Sequence, residues 1–466
     1  MILLNMLVKP LWIFGIDRQV QLQVGQMEYG RYFALLNLSF IFNILLDMGI
    51  TGYSNRTIAL THSSSSTLIY QAFITKLLFS ILYLLIIFIV AVISGVTDYT
   101  LLFFLTVIQI LSSFLLLGRG VLSAYQQFNK DAWLSILDKT LLIVFAGSWL
   151  YFPFIKTKFT IYDFALLQIV ATVITVFVCF FFLRKNLLFD FTTINKWQIK
   201  NIIKESLPYA ITILFMGIHS RADGFLLERL GANGSYEAGM YAAAYRLLDA
   251  ANMIGFLFAS ILISYWAKHT HNKPLIERSL TFSHQLLIPS GILIGSTVFF
   301  LYKPLYSLLY YNTNLYGETI LKWNLLCILP LFIIHIYGTL LTATGKIKML
   351  MRLVFLAALV NILANFFLIP YYGALACVYI ALITQTGLAV CTIIACGRQL
   401  KISVSVVLWI KYVLIASFII LLLLFITNYT FSVWLKLVLV TALWLLLGNI
   451  LNVFSFRSFL NLIREN

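Results

Sequence analysis

Apolar runs of about twenty residues recur along the whole chain, and this repetition constrains the fold more than any other feature. Such a run, wound as a helix, matches the roughly 30 Å hydrocarbon core of a bilayer. Windows of this kind fall at Ile2–Gln21, Tyr32–Met48, Gln71–Ser94, Leu101–Leu122, Trp133–Phe152, Tyr162–Leu183 and Leu207–Leu227. They continue at Gly239–Ser264, His284–Leu301, Lys322–Thr344, Leu350–Pro370, Ala374–Ala395, Val406–Thr427 and Val433–Val453. About fourteen transmembrane crossings are therefore expected. Of the 466 residues 62% are hydrophobic and 10% charged, against about 25% charged in soluble proteins. Too few polar side chains remain to clothe a water-soluble globule. A membrane β-barrel would show short alternating segments, whereas these runs are continuous. The expected fold class is an all-α polytopic membrane protein.

The formal net charge of +16 does not point to nucleic acid, because the basic residues are scattered through short loops and form no compact basic domain. The five cysteines, Cys179, Cys327, Cys377, Cys391 and Cys396, lie in or at the ends of apolar runs without paired loop spacing, so neither disulfides nor a metal site is expected. The opening MILLNMLVKPLWIFG has no basic n-region and no small-residue cleavage site before Lys9, and a cleavable signal peptide is not expected. With the N-terminus inside, the inner loops collect Arg184, Lys185, Lys196, Lys200 and Lys204, then Lys268, Lys273 and Arg278, then Lys346, Lys348 and Arg352, then Arg398, Lys401 and Lys411. On this assignment roughly twenty basic residues face the cytoplasm and about eight face outside, which places both termini in the cytoplasm.

The polar, basic segment Arg184–Ser206 separates the first twelve spans into two sets of six and reads as an amphipathic interfacial linker. The expected organisation is a first six-helix bundle over residues 1–183, the linker over 184–206, a second bundle over 207–396, and two further helices with a tail over 397–466. The halves share a pattern: Gly25-Gln-Met-Glu28-Tyr-Gly30-Arg-Tyr32 and Gly234-Ser-Tyr-Glu237-Ala-Gly239-Met-Tyr241 both read G-x-x-E-x-G-x-Y. Upstream, Asp17 pairs with Asp223 if the turn between differs by about three residues. An offset of an even number of helices gives both halves the same topology, related by an axis along the membrane normal. Two such bundles around a central cavity suit alternating access.

These segments resemble the Wzx-type polysaccharide flippases of the multidrug/oligosaccharidyl-lipid/polysaccharide exporter superfamily. The resemblance rests on Gly25–Tyr32, on Leu45-Leu-Asp47-Met-Gly49-Ile50, on Asn55-Arg56-Thr-Ile-Ala59, on Ser206-Leu-Pro208, on Ala222-Asp223 and on Gly239-Met-Tyr241-Ala-Ala-Ala-Tyr-Arg246. It covers essentially the whole chain. It implies flipping of an undecaprenyl-diphosphate-linked oligosaccharide, an O-antigen, capsule or exopolysaccharide unit, from the inner to the outer leaflet of the bacterial cytoplasmic membrane. It also implies no covalent chemistry and no cofactor, coupling to a Na⁺ or H⁺ gradient, contact with membrane lipids, and transfer to polysaccharide polymerase machinery. A drug or cation exporter of the same superfamily and a lipid II flippase are the alternatives. The near balance of intramembrane cations and acids favours an anionic cargo over a cationic one.

Ionisable residues inside spans usually face a cavity or a partner. Arg221 and Asp223 lie about 21–24 Å from the inner end of the seventh span, and Arg246 and Asp249 about 10–15 Å below the outer end of the eighth. Arginine's planar fork suits a diphosphate, so these four are expected to line the substrate cavity; the alternative is a structural ion-pair network among them. Lys9, Asp17 and Arg18 are the first-half counterparts. Lys9 is expected mid-membrane and facing the cavity, while Asp17 and Arg18 lie near the outer surface, where plain interfacial charges are the alternative. Asp138 and Lys139 read as an inner-surface pair, and Arg119 as an arginine reaching the headgroups. Asp223 and His335 are candidates for ion coupling. His335 reads as the lone histidine deep in a span, with a satisfied core role as the alternative. Asn361 and Asn365 share a helix face at i, i+4 and suit interhelical hydrogen bonds.

Overall fold

Backbone amides in a bilayer have no water to bond to, so the apolar runs fold as helices that satisfy their own N–H and C=O groups. The computed structural model describes residues 8–61, 65–152, 158–184, 196–310, 314–402 and 405–453; within these, the side chains of 56–57, 59–61, 65–68 and 196–206 lie outside the described set. Residues 185–195 of the expected linker 184–206, with Lys185, lie outside the described residues, as do the side chains of Lys196, Lys200 and Lys204 and that of Arg56. Every regular element among the described residues is helical. They are α1 (residues 8–24), α2 (Gln26–Ile41), α3 (Ile50–Thr61), α4 (Ser65–Ile93), α5 (Tyr99–Ala124), α6 (Phe128–Tyr151), α7 (Ile161–Leu183) and α8 (Lys196–Leu230). Then come α9 (Gly234–Lys268), α10 (Lys273–Tyr310), α11 (Leu315–Asn324), α12 (Ile328–Ala343), α13 (Ile347–Tyr372), α14 (Ala374–Leu400), α15 (Val406–Thr427) and α16 (Val433–Ile450).

Among the described residues twelve helices are long and apolar enough to cross a membrane, and the bent pair Gln26–Ile41 and Asn43–Asn55 makes a thirteenth. Their outward faces are apolar: Ile93, Phe177, Tyr371 and Val406 are all exposed, as lipid contact requires and water does not permit in quantity. Several helices overrun their apolar windows. The expected span His284–Leu301 lies inside the 38-residue α10, because intrahelical bonding continues into the polar flanks. Pro304 lacks an amide proton, and three residues before it Leu301 leaves helical geometry.

By packing, the chain falls into two compact units, Met1–Gly239 and Met240–Asn466. In the first, α5 lies against α7 and α3, α2 lies along α8, and α6 packs on α7 and α1. One apolar core there joins Ile58, Ile69, Leu122, Leu134 and Cys179. The helix starts are capped locally: Asp98 accepts from the Leu101 amide at 3.0 Å, and Thr160 with Asp163 forms a capping box. In the second unit, α13 packs on α14, α12 on α14 and α10, and α15 on α10 and α16.

The repeated Gly motifs occupy equivalent places, at the starts of α2 and α9, and within the first unit they touch. A Cβ on Gly30 would overlap the Ser235 carbonyl oxygen and lie 2.5 Å from the Gly239 nitrogen. A Cβ on Gly239 would overlap the Gln26 carbonyl oxygen. Each motif therefore supplies the glycine that lets the other's backbone approach. Gln21 ties the same corner, donating to the Gly239 carbonyl at 2.8 Å and to Gln26 Oε1 at 2.9 Å.

Candidate functional site

Lys9 begins α1 and lies within electrostatic reach of Lys139, Asp138 and Arg119. The cluster is built from three helices of the first unit. Arg119 Nε on α5 meets Asp131 Oδ1 on α6 at 2.6 Å, and Ser123 donates to Asp131 Oδ2 at 3.3 Å. Lys139 stands 3.2 Å from Asp138 and 4.9 Å above the Trp12 ring. Three cations against two carboxylates leave the group net positive. The Asp138–Lys139 pair matches its sequence reading. Arg119, expected to reach for headgroups, instead pairs with Asp131, which sequence reasoning passed over; an acid one turn into the next helix, across a short loop from the arginine, was the available signal.

Asp17 closes a π-helical stretch, Leu11–Asp17. One wide turn of this kind shifts the register of the side chains beyond it. Asp17 is only 1% exposed, and Tyr29 donates to its Oδ2 at 2.6 Å. Asp17 is thus a packed, hydrogen-bonded carboxylate; Arg18 beside it is half-buried. Tyr29→Phe removes one donor from a buried carboxylate and is expected to cost about 1.5–3 kcal/mol, read as a lower thermal midpoint of the detergent-purified protein. An unchanged midpoint would mean that the bond carries no net stability.

Of the four charges expected to line a cavity from α8 and α9, Arg221 and Asp223 belong to the first unit and Arg246 and Asp249 to the second. Arg221 lies 5.4 Å from the Phe40 ring, Asp223 is buried, and Arg246 and Asp249 are half-buried. Nearby on α8, Glu228 and Arg229 form a pair at 2.6 Å. Arg229 donates to the Gly95 carbonyl at 2.7 Å, and Ser235 donates to Glu228 at 3.1 Å.

His335 is not the lone buried histidine. His219 and His284 are both more deeply buried; His284 sits eleven residues inside α10. His335 Nε2 meets Asn252 Oδ1 at 3.0 Å and its ring packs against Phe256 at a tilt of 60°, with centroids 4.5 Å apart. The ring is thus hydrogen-bonded and packed within the second unit. Asn365 donates to Asn361 at 3.2 Å along α13.

The expected second span, Tyr32–Met48, is broken. Helix α2 ends at Ile41, a 3₁₀ turn covers Asn43–Leu46, and the path bends by 49°. Met48 and Gly49 take positive φ, 44° and 85°, before α3 resumes. Asp47 sits at the break and accepts from the Thr51 amide at 3.3 Å and from the Thr51 hydroxyl. Lys76 on α4, 1% exposed, lies 2.6 Å from Asp47 Oδ1. It donates also to the Ser113 carbonyl at 2.9 Å and the Ser113 hydroxyl at 2.7 Å. Lys76 is the one charged residue of the apolar run Gln71–Ser94, a signal the span-by-span reading left unused.

A family profile described as "Polysaccharide biosynthesis protein" matches residues 20–268, more than half of the chain. No curated protein matches it in sequence. Among solved structures the chain is similar to the lipid II flippase MurJ in an inward closed conformation, with TM-score 0.72 and 15% identity, covering 99% of this chain and 100% of that one. It is also similar to an inward-facing multidrug resistance transporter of the MATE family, with TM-score 0.62 and 13% identity over 86% of this chain and 94% of the other. A third, from Pyrococcus furiosus, is described as having a binding pocket of reverse polarity; it gives TM-score 0.56 and 15% identity over 86% of this chain and 92% of the other. The helical membrane fold, the shared motifs of the two halves and the profile over residues 20–268 agree: the chain belongs to the polysaccharide biosynthesis protein family.

Proposed function

We propose that the chain flips a polyprenyl-diphosphate-linked oligosaccharide from the inner to the outer leaflet of the bacterial cytoplasmic membrane by alternating access, with both termini inside. The observation that carries this reading is the net-positive group of Lys9, Arg119 and Lys139 with Asp131 and Asp138 in a chain of the polysaccharide biosynthesis family. In the orientation set by the basic loops it occupies the inner half of the bilayer, where a diphosphate headgroup would enter. Lysine supplies a mobile point charge to such a group, and arginine a planar fork. Lys9 supplies the surplus charge, while Asp131 orients Arg119. Nearer the outer side, Arg221 with Asp17, Arg18 and Asp223 is the candidate cargo contact of the first unit, and Arg246 with Asp249 that of the second. An ion gradient drives the cycle, and the flipped unit passes to polymerising machinery outside.

In cells that depend on this chain for surface polymer, Lys9→Ala and Arg246→Ala are each expected to lower surface glycan at least about tenfold, the loss of roughly 1.4 kcal/mol of binding. The lipid-linked unit should accumulate inside at unchanged protein level. Normal glycan with normal protein in both variants would overturn the assignment, as would export of a cationic dye that responds to the same substitutions.

A further inference from the structure

The broken second span holds an arrangement that neither the family nor the proposed cargo explains. Around Lys76 Nζ stand three oxygens of three chemical kinds: the Asp47 carboxylate at 2.6 Å, the Ser113 hydroxyl at 2.7 Å and the Ser113 carbonyl at 2.9 Å. A second layer fixes them. Ser113 donates its own proton to the Leu46 carbonyl, 3.1 Å away in the 3₁₀ turn, which leaves its lone pairs toward the ammonium. Thr51 holds the carboxylate through both its amide and its hydroxyl. Hydroxyl, carbonyl and carboxylate oxygens are the ligands that replace the hydration shell of an alkali cation, and interrupted helices are where transport proteins place such ligands.

We propose that the point occupied by Lys76 Nζ is a monovalent-cation site, built by the break between α2 and α3 and by α5, and filled by a tethered ammonium instead of a free ion. The lysine comes in from α4, is sealed from solvent, and presents three N–H donors to three oxygens. Asp47, the charged group facing it, supplies the one negative charge a monovalent ion needs. The first unit thus carries its cation covalently, and its fold at this point is independent of sodium or potassium in the medium. This holds whatever cargo is carried.

The test vacates the site and offers it free ions. Lys76→Ala protein, purified in detergent, is melted in choline chloride, sodium chloride, potassium chloride and methylammonium chloride at equal ionic strength. Its midpoint is expected to rise saturably by about 2–4 °C in one or more of the three small cations over choline. The wild-type midpoint should stay within about 1 °C across the four salts, and Lys76→Ala/Asp47→Asn should lose the response. Identical midpoints for Lys76→Ala in all four salts would overturn the proposal. So would a Lys76→Ala protein that cannot be recovered in any of them while Lys76→Met/Asp47→Asn can, because a scaffold that tolerates a neutral pair but not a vacated site does not accept an ion there. Normal glycan in the Lys9 and Arg246 variants would bear on the transport reading alone.

Discussion

Gly30→Ala and Gly239→Ala are each expected to lower the thermal midpoint by several degrees, although alanine is the better helix former by about 1 kcal/mol. Neither glycine has a positive φ, so the added methyl meets no backbone strain of its own. What it meets is the opposite motif. At Gly30 the Cβ overlaps the Ser235 carbonyl, and at Gly239 it overlaps the Gln26 carbonyl. Both obstacles are backbone atoms inside helices and cannot rotate away, so the helix starts must separate. Overpacking costs about 1–3 kcal/mol and occasionally more, and here the upper end is expected, since Gln21's bonds to Gly239 and Gln26 are stretched by the same movement. Gly387→Ala is the control: it lies inside α14 with nothing within 4 Å of its Cβ, and it should hold or raise the midpoint. Wild-type melting of Gly30→Ala would show that the corner yields freely.

The second large effect is expected at Lys76 and Asp47. Removing one partner of a buried ion pair costs about 3–5 kcal/mol, mostly because the other charge is stranded, while neutralising both is often far cheaper. The two single variants should not be equal. Asp47→Asn strands an ammonium that is 1% exposed, whereas Lys76→Met strands a carboxylate that keeps 22% exposure and its Thr51 donors. Asp47→Asn is therefore the more damaging, and Lys76→Met/Asp47→Asn should recover most of the loss. The four midpoints form a double-mutant cycle whose coupling energy measures the pair. Additive losses would show that the charges do not act on each other, and a milder Asp47→Asn would reverse the burial argument.

Much of the architecture was legible because hydrophobic length is a local property. The windows Leu101–Leu122 and Tyr162–Leu183 fall within α5 and α7 because nothing distant is needed to close a helix in lipid. The windows read spans as continuous, however. Tyr32–Met48 is long and apolar enough to read as one span, and its break after Ile41 sits beside an Asp47–Lys76 pair made with another helix, which a window along the chain does not register. The site was legible in part. Lys9 and the Asp138–Lys139 pair could be singled out because charges are conspicuous in apolar runs, but Arg119 was assigned to headgroups since Asp131 belongs to the next helix. For Asp17 the spacing gave a depth but not its partner, because the Tyr29 bond crosses a turn.

By itself the sequence determined that this chain is a helical membrane protein, where most of its helices lie, and that its halves carry the same glycine pattern. All of these follow from residues counted along one dimension, under a solvent that forbids unbonded amides. The tertiary structure decided which charge meets which, where a helix breaks, and why Gly30 and Gly239 have to be glycine. Those outcomes belong to pairs of residues far apart in the chain, and a contact between two surfaces cannot be read from either one alone.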